Sequence, residues 1–418
     1  MNIRTDTLPL GLYIHLPWCV RKCPYCDFNS HEYRGEIPEA DYLLALLADL
    51  DFARPALDGR QFSSVFFGGG TPSLFAPDSI ELLLTTLNDR GLLAVDAEIT
   101  LEANPGTVDA ARFAGFYSAG INRLSLGVQS FNDRQLAALG RIHDGAGARA
   151  AIDAAAAVFV NFNLDLMYGL PGQTPDDAAA DIEQAIASGA PHLSCYELTI
   201  EPNTVFYKRP PKRPSEDVLA AIEAVVNALL CDGGYRHYEV SAHARDGRVC
   251  RHNLNYWRFG DYLGLGAGAH SKLTKVKSTQ VKSMEAGPNP SRASAPDLVT
   301  PATVHREARV RMPASYMRKA GSAQAVTGQH VPGPADLLFE FMLNALRLRD
   351  GFALELLATR TGLDPAVAAA GLGEARARGL LVADENQVRP TARGQRYLNE
   401  IIRLFLPPAL PGVATDRG

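Results

Sequence analysis

The stretch that decides the fold is YIHLPWCVRKCPYCDF, residues 13–28. Its three cysteines, Cys19, Cys23 and Cys26, have the spacing C-x3-C-x2-C and follow a β-prone run, so we expect them on a loop that leaves a strand. Three thiolates can hold three irons of a [4Fe–4S] cluster and leave the fourth iron open for a small molecule. A zinc site, or a set of unrelated thiols, is the alternative that the spacing alone leaves open.

Composition and charge restrict the class of protein. The 418 residues carry a net charge of −5, so nothing global favours nucleic acid as a partner. The longest apolar runs are too short to span a bilayer, and residues 1–12 lack the features of a secretion signal. We therefore expect a cytoplasmic protein without a transmembrane segment, whose six cysteines form no disulfide framework. The scattered Cys195, Cys231 and Cys250 are predicted to be small buried apolar residues.

Short β-branched or aromatic runs alternate with Ala/Leu-rich helical segments from residue 11 to about 241. The predicted strands lie near 12–16, 63–67, 97–102, 122–128, 160–167 and 193–199. The predicted helices lie near 38–55, 77–90, 109–119, 145–157, 175–188 and 215–231. Repeated βα units form a parallel sheet, either open and doubly wound or curled towards a barrel. Six units are too few for a closed eight-stranded barrel.

Unusual segments follow four of these strands: GGGTPS at 68–73, EANPGT at 102–107, GVQSF at 127–131 and DLMYGLPG at 165–172. Ligands in parallel α/β folds bind at the carboxyl ends of the strands, so we expect these segments at the same edge as the cysteines. Three consecutive glycines also let backbone approach a ligand closely. Taken alone, each segment fits a tight turn or a helix cap as well.

A series of motifs runs along nearly the whole chain: YIHLPWC, SVFFGGGTPSLF, EANPGT, SLGVQSFN, LGRIH, DLMYGLPGQT, HNLNYWRFGDYLGLGAGAH and LLFEFMLNALRL. The series resembles the branch of radical S-adenosylmethionine (SAM) proteins that contains the oxygen-independent coproporphyrinogen III oxidases (HemN) and the HemW heme chaperones. The resemblance implies an α/β fold, a partial (βα)6 radical-SAM barrel with a C-terminal helical, winged-helix-like domain.

The resemblance also implies a site. Cys19, Cys23 and Cys26 would hold the [4Fe–4S] cluster, and SAM would be bound by Tyr13, Gly69, Gly70, Thr71, Glu102, Gln129, Arg141 and Asp165. Backbone at 69–71 would take the methionyl amino group, and Gln129 and Asp165 would accept from ribose hydroxyls. Arg141 would pair with the methionyl carboxylate. Arg141 precedes a predicted helix, where a solvated arginine is the alternative.

Three features favour the heme chaperones over the oxidases. Phe28 stands two residues after Cys26, where the oxidases carry a further cysteine, and only 18 residues precede Cys19. His252-Asn-Leu-Asn-Tyr256-Trp257 matches the HNxxYW motif linked to heme binding. An imidazole and two aromatic rings offer an axial iron ligand and a flat apolar surface. A packed, hydrogen-bonded His252 is the alternative interpretation.

The resemblance implies a heme chaperone that delivers heme to a membrane enzyme of the respiratory chain, as a monomer or a heme-linked dimer. The first alternative is an enzyme of porphyrin biosynthesis that oxidatively decarboxylates coproporphyrinogen III to protoporphyrinogen IX. A radical-SAM enzyme with another substrate is the second.

We expect three regions in the chain. Residues 1–245 form the radical-SAM core, residues 246–334 carry the heme motif, a glycine run at 264–270 and a flexible basic insertion at 271–304, and residues 335–418 form the C-terminal domain. Ten Lys/Arg against three Asp/Glu over 271–320 could attract heme propionates, anionic lipid at a membrane surface or an acidic partner, and a solvated loop is the alternative. The C-terminal helices lack base-reading side chains, which predicts a docking or lid module.

Overall fold

The cysteine loop follows a central strand of a large mixed sheet. The computed structural model describes residues 8–245, 247–276, 302–382 and 384–407, and within them twelve strands form one sheet while four short strands pair separately. The strands are β1 Leu10–Leu16, β2 Trp18–Cys19, β3 His31–Glu32, β4 Phe62–Gly69, β5 Leu93–Ala103, β6 Arg123–Gln129, β7 Phe162–Tyr168, β8 His192–Glu197, β9 Arg236–His237, β10 Ala242–Ala244, β11 Asp261–Leu265, β12 His270–Val276, β13 Ala302–Arg309, β14 Val326–His330, β15 Phe352–Ala353 and β16 Gln387–Val388.

Helices connect the parallel strands and cover the sheet. They are α1 Glu39–Ala53, α2 Pro77–Asp89, α3 Ala110–Ser118, α4 Asp133–Ala138, α5 Gly145–Ala156, α6 Pro175–Ala187, α7 Val205–Lys208, α8 Glu216–Asp232, α9 Arg251–Trp257, α10 Pro313–Lys319, α11 Pro334–Ala345, α12 Glu355–Thr361, α13 Ala369–Ala377, α14 Ala392–Arg396 and α15 Leu398–Arg403. Side chains of Asp109, Asp144 and Thr174 accept backbone N–H groups where α3, α5 and α6 begin, which explains those boundaries. None of the helices in the described residues is long and apolar enough to cross a bilayer.

The α/β fold is confirmed. The strand order is β14-β13-β12-β11-β1-β4-β5-β6-β7-β8-β10-β9, and the seven strands from β11 to β8 are parallel to one another. No ladder joins β14 to β9 in the described part of the chain, so the sheet is open rather than a closed barrel. All six predicted parallel strands are present, and β11 adds a seventh beside β1 that periodicity did not indicate.

The prediction of a flexible insertion at 271–304 is wrong for residues 271–276 and 302–304, which lie in strands β12 and β13. Strands β12 and β13 pair antiparallel from His270 opposite Ala308 to Val276 opposite Ala302. The Lys272 side chain, which the composition placed in solvent, is buried, and its Nζ donates to Asp261 Oδ1 at 2.9 Å. The buried ion pair lets a lysine-rich segment form an inner strand. Residues 277–301 of the predicted insertion lie outside the described residues.

The C-terminal helices form a second hydrophobic cluster around Phe341, Leu357 and Leu372, each at most 1 % exposed. This cluster includes Phe259, and Phe341 packs edge-on against that ring with centroids 5.5 Å apart. The C-terminal helical domain is therefore confirmed. Beside these helices, β15 pairs antiparallel with β16, and a single bridge joins Leu381 to Pro390.

Candidate functional site

The glycine turn after β4 lies directly on the cysteine loop after β1. Gly70 N donates to Leu16 O at 2.8 Å, and Thr71 N donates to Trp18 O at 2.8 Å. A Cβ at position 70 would lie 2.5 Å from Trp18 O, closer than any side chain can come. The glycine that follows the strand is therefore required by the close approach of two loops, as its position in the sequence suggested.

Each cysteine of the loop has a polar neighbour. Thr71 Oγ1 donates to Cys19 Sγ at 3.5 Å, and Ser30 Oγ lies 3.6 Å from Cys26 Sγ. Arg141 Nη1 donates to Cys23 Sγ at 3.5 Å. Burial raises the pKa of Cys19 to about 11 and also raises that of Cys26, so both thiols keep their protons until a metal displaces them.

The thiols suit a multi-iron cluster. All six cysteines are free, and in the described residues no three His, Cys, Asp or Glu side chains converge closely enough to hold a single metal ion. A [4Fe–4S] cluster does not require such convergence, because each thiolate binds a different iron. The loop thus provides separate ligands facing one cavity, which fits the cluster that the spacing indicated.

That cavity, here called the cysteine cavity, has a volume of about 590 Å³ and lies at the carboxyl ends of the parallel strands. Its lining includes Cys19, Cys23 and Cys26 together with seven of the eight residues expected to contact SAM: Gly69, Gly70, Thr71, Glu102, Gln129, Arg141 and Asp165. The volume lies in the usual range for pockets that bury an organic ligand. The strand-end segments therefore do meet at one edge of the sheet.

Two half-buried carboxyl groups face this cavity. Glu102 Oε2 accepts from Gly69 N at 3.2 Å, and burial, with a smaller contribution from the charge on Asp165, raises the Glu102 pKa to about 8. Asp165 accepts from Ser125 Oγ at 3.0 Å and from Asn163 Nδ2 at 2.8 Å, and burial raises its pKa. A cationic ligand, or one rich in hydroxyls, would satisfy both groups.

Arg141 points into the site rather than into solvent. One Nη donates to Gly127 O at 2.6 Å and to Asn104 Oδ1, and the buried Nε has no partner among the described residues. Gln129, at the end of β6, adopts a φ of +72°, which a non-glycine side chain rarely does. Such a backbone outlier at a cavity is typical of functional positions.

Sequence reasoning missed several residues of the site. Ser125 and Asn163 hold Asp165, and Asn104 holds Arg141. The available signal was a period of two, because polar residues alternate with apolar ones along both β6 and β7 and therefore share the inner face of the sheet.

Tyr13 lies in a second cavity, here called the interior cavity, of about 700 Å³. Its hydroxyl is hydrogen-bonded to His15 Nδ1 at 3.0 Å, and its ring stacks on Phe66 with centroids 6.4 Å apart. The two cavities share Phe28, Gly69, Glu102, Ser125, Asp165 and Tyr196. Tyr13 is therefore placed beside the same carboxyl groups, but on the interior side of them.

The HNLNYW motif forms helix α9, which places His252 in the interior cavity. Glu98 Oε1 accepts the N–H groups of Arg251 at 2.8 Å and His252 at 3.2 Å, and thereby anchors the start of the helix. The ring of His252 stacks on Phe66 with centroids 5.0 Å apart. Trp257 instead packs against the C-terminal cluster, with the Arg347 guanidinium 4.4 Å from its ring centroid.

Both ring nitrogens of His252 have partners. Nδ1 lies 3.1 Å from Ser64 Oγ, and Nε2 lies 3.2 Å from Tyr256 Oη. Burial lowers the His252 pKa to about 3, so the imidazole is neutral and can ligate a metal at neutral pH. Release of the Tyr256 contact would free Nε2, while Ser64 would hold Nδ1 as the second partner that ligating histidines usually have.

Comparison with known proteins agrees with this geometry. Residues 13–185 match the model of the radical SAM superfamily, and residues 334–397 match that of the HemN C-terminal domain. The heme chaperone HemW of Haemophilus influenzae is 43 % identical over 403 residues, and that of Escherichia coli K12 is 44 % identical over 399. Each alignment covers 95 % of this chain and 98 % of the relative.

The solved structure of coproporphyrinogen III oxidase (HemN) from Escherichia coli, a radical SAM enzyme, has the same fold, with a TM-score of 0.76. The alignment covers 95 % of this chain and 90 % of that one, at 23 % identity. Fold, cysteine loop and family model together define a radical SAM protein. The sequence identity to the two HemW proteins extends over nearly the whole of both chains. The chain therefore belongs to the HemW family.

Proposed function

We propose that this protein is a cytoplasmic heme chaperone that binds a [4Fe–4S] cluster, SAM and heme, and delivers heme to respiratory-chain proteins. The observation that carries the proposal is that the HNLNYW helix places His252 in a cavity that adjoins the cysteine cavity and shares Glu102 and Asp165 with it. The full-length relatives named heme chaperone HemW support it.

The residues of the cysteine cavity suit the first two cofactors. Cys19, Cys23 and Cys26 would hold the cluster, whose open iron supplies a coordination site and an electron when the cluster is bound. Arg141 would pair with the carboxylate of SAM, carbonyl oxygens of residues 69–71 would accept from its ammonium group, and Gln129 and Asp165 would accept from its ribose hydroxyls. The half-buried Glu102 would compensate the positive charge of the ligand.

Heme is the third ligand, and His252 would be its axial ligand through Nε2. The cavity beside His252 is walled by Phe66 and Tyr256, which gives the macrocycle flat apolar contacts. The membrane enzyme of the respiratory chain that receives the heme, peripheral contact with the membrane, and a heme-linked dimer belong to the same proposal.

The first test is an anaerobic heme titration of the cluster-reconstituted protein, followed by the Soret absorbance. We expect stoichiometric binding by the wild type and a loss of at least tenfold in His252→Ala, about 1.4 kcal/mol. His243→Ala is the matched control, because His243 is also buried but lines neither cavity.

Each outcome of the titration has a clear consequence. If the wild type binds no heme, the proposal is wrong, and turnover of coproporphyrinogen III becomes the next assay. If His252→Ala and the wild type bind heme equally, the chaperone function stands and His252 is not the ligand.

A further inference from the structure

The interior cavity reaches deep below the edge where the cysteines lie. Arg123 begins β6 and Gln129 ends it, so six residues, or about 20 Å, separate the floor from the rim along that strand. His252 also lies well below the rim, because its Nδ1 contacts Ser64 of β4, five residues before Gly69. The cavity is thus a second, deeper compartment than the one that the cysteines line.

The floor of this compartment holds an unusual cation. Arg123 is 2 % exposed, it lines the cavity, and its buried Nε has no hydrogen-bond partner among the described residues. A buried guanidinium normally forms charge-assisted hydrogen bonds, since the charge is costly to remove from water.

The acidic residues near Arg123 have other partners. Asp165 accepts from Ser125 and Asn163, as described above, and Glu98 Oε1 accepts the first N–H groups of α9. These carboxylates contribute favourable charge around Arg123. A guanidinium pairs best with a carboxylate through two parallel hydrogen bonds, and Arg123 remains able to form such a bidentate pair with a ligand.

The wall above Arg123 is aromatic and flat. The rings of Tyr13 and Phe66 are inclined by 24°, and those of Phe66 and His252 by 23°. Rings stacked in nearly parallel planes favour a planar apolar ligand, and a guanidinium at the floor favours a carboxylate on that ligand. A volume of about 700 Å³ can bury a large organic molecule.

We propose that the interior cavity is the compartment in which the tetrapyrrole lies, and that Arg123 binds one of its carboxylate groups. The inference rests on the proposed function, because the tetrapyrrole is the heme of that proposal. It adds a residue, Arg123, that the family motifs quoted above do not include.

The test compares iron-free protoporphyrin IX with its dimethyl ester, by fluorescence titration of the cluster-reconstituted full chain. Neither probe can bind through iron, so the comparison reports the contribution of the two carboxylates, and Arg123→Met isolates the part that Arg123 supplies. We expect the wild type to bind the free acid at least tenfold more tightly than the ester, and Arg123→Met to lose most of that preference. Arg245→Met is the control, since this partly buried arginine donates to Gly233 O and lines neither cavity.

Equal binding of acid and ester by the wild type would overturn the inference, whether or not Arg123→Met folds. Undiminished discrimination in a folded Arg123→Met would overturn it as well. A wild type that binds heme, yet shows no preference for the acid, refutes the role of Arg123 and leaves the proposed function intact. A wild type that binds neither heme nor porphyrin refutes both.

Discussion

Glu102 gives the sharpest test of the electrostatics of the site. Its ordinary pKa of 4.5 is raised to about 8 by burial and by the charge on Asp165. Below pH 4.5 the group is protonated in both the folded and the unfolded chain. Between pH 4.5 and 8 it ionises in the unfolded chain but keeps its proton in the folded one, so its contribution to stability falls as the pH rises.

The substitution that tests this is Glu102→Gln, which preserves the shape of the side chain and removes its ionisable group. Each unit of pH in that window changes the free energy of unfolding by about 1.4 kcal/mol for one such group. Integrated from pH 5 to pH 8, with partial ionisation at both ends of the range, the wild type should therefore lose about 3.5 kcal/mol relative to the variant. Urea denaturation at pH 5, 6, 7 and 8, with both proteins in the same cofactor state, measures this difference.

Subtracting the variant from the wild type cancels groups with raised pKa that do not interact with Glu102, such as Asp181. Glu81→Gln, on the exposed side of α2, is the control, and its difference from the wild type should not change with pH. If the stability difference between the wild type and Glu102→Gln is constant from pH 5 to pH 8, Glu102 does not carry a buried proton, and its assignment as the partner of a cationic ligand loses its basis.

Two further substitutions test the fold and the cavity. Lys272→Met leaves Asp261 with Arg60 as its remaining cation, and we expect a loss of about 3 kcal/mol in urea denaturation, whereas a loss near zero would show that the buried pair is not needed for β12. Arg141→Gln should weaken SAM binding at least about tenfold in anaerobic equilibrium dialysis, and unchanged affinity would show that Arg141 holds only Cys23 and Asn104.

The sequence predicted the parallel strands well because their patterns are local. A run of apolar residues followed by a glycine or an acidic residue marks both a buried strand and its carboxyl end, so the segments at Gly69, Glu102 and Asp165 could be placed at one edge. The strands β11 and β12 were not predicted, because they are stabilised by contacts with residues that are distant in sequence. Lys272 looks exposed until its partner Asp261 is placed beside it.

The division of the site into two cavities could not be predicted from the sequence either. Tyr13 and the cysteines are neighbours in the chain, but alternate side chains of a strand point to opposite faces, and the loop then turns away from the strand. The polar pairings of Arg141 with Asn104 and of His252 with Ser64 join different βα units. Only the assembled sheet brings these partners together.

The shared wall between the cavities has a consequence for how two ligands would interact. Glu102 and Asp165 line both compartments, so a cation bound on the cysteine side changes the ionisation of carboxyl groups that also face His252 and Arg123. An ionised Glu102 carboxylate would disfavour an anionic ligand in the interior cavity and favour a cationic one. Binding in one cavity would therefore be coupled to binding in the other, and by linkage that coupling would be equal in both directions.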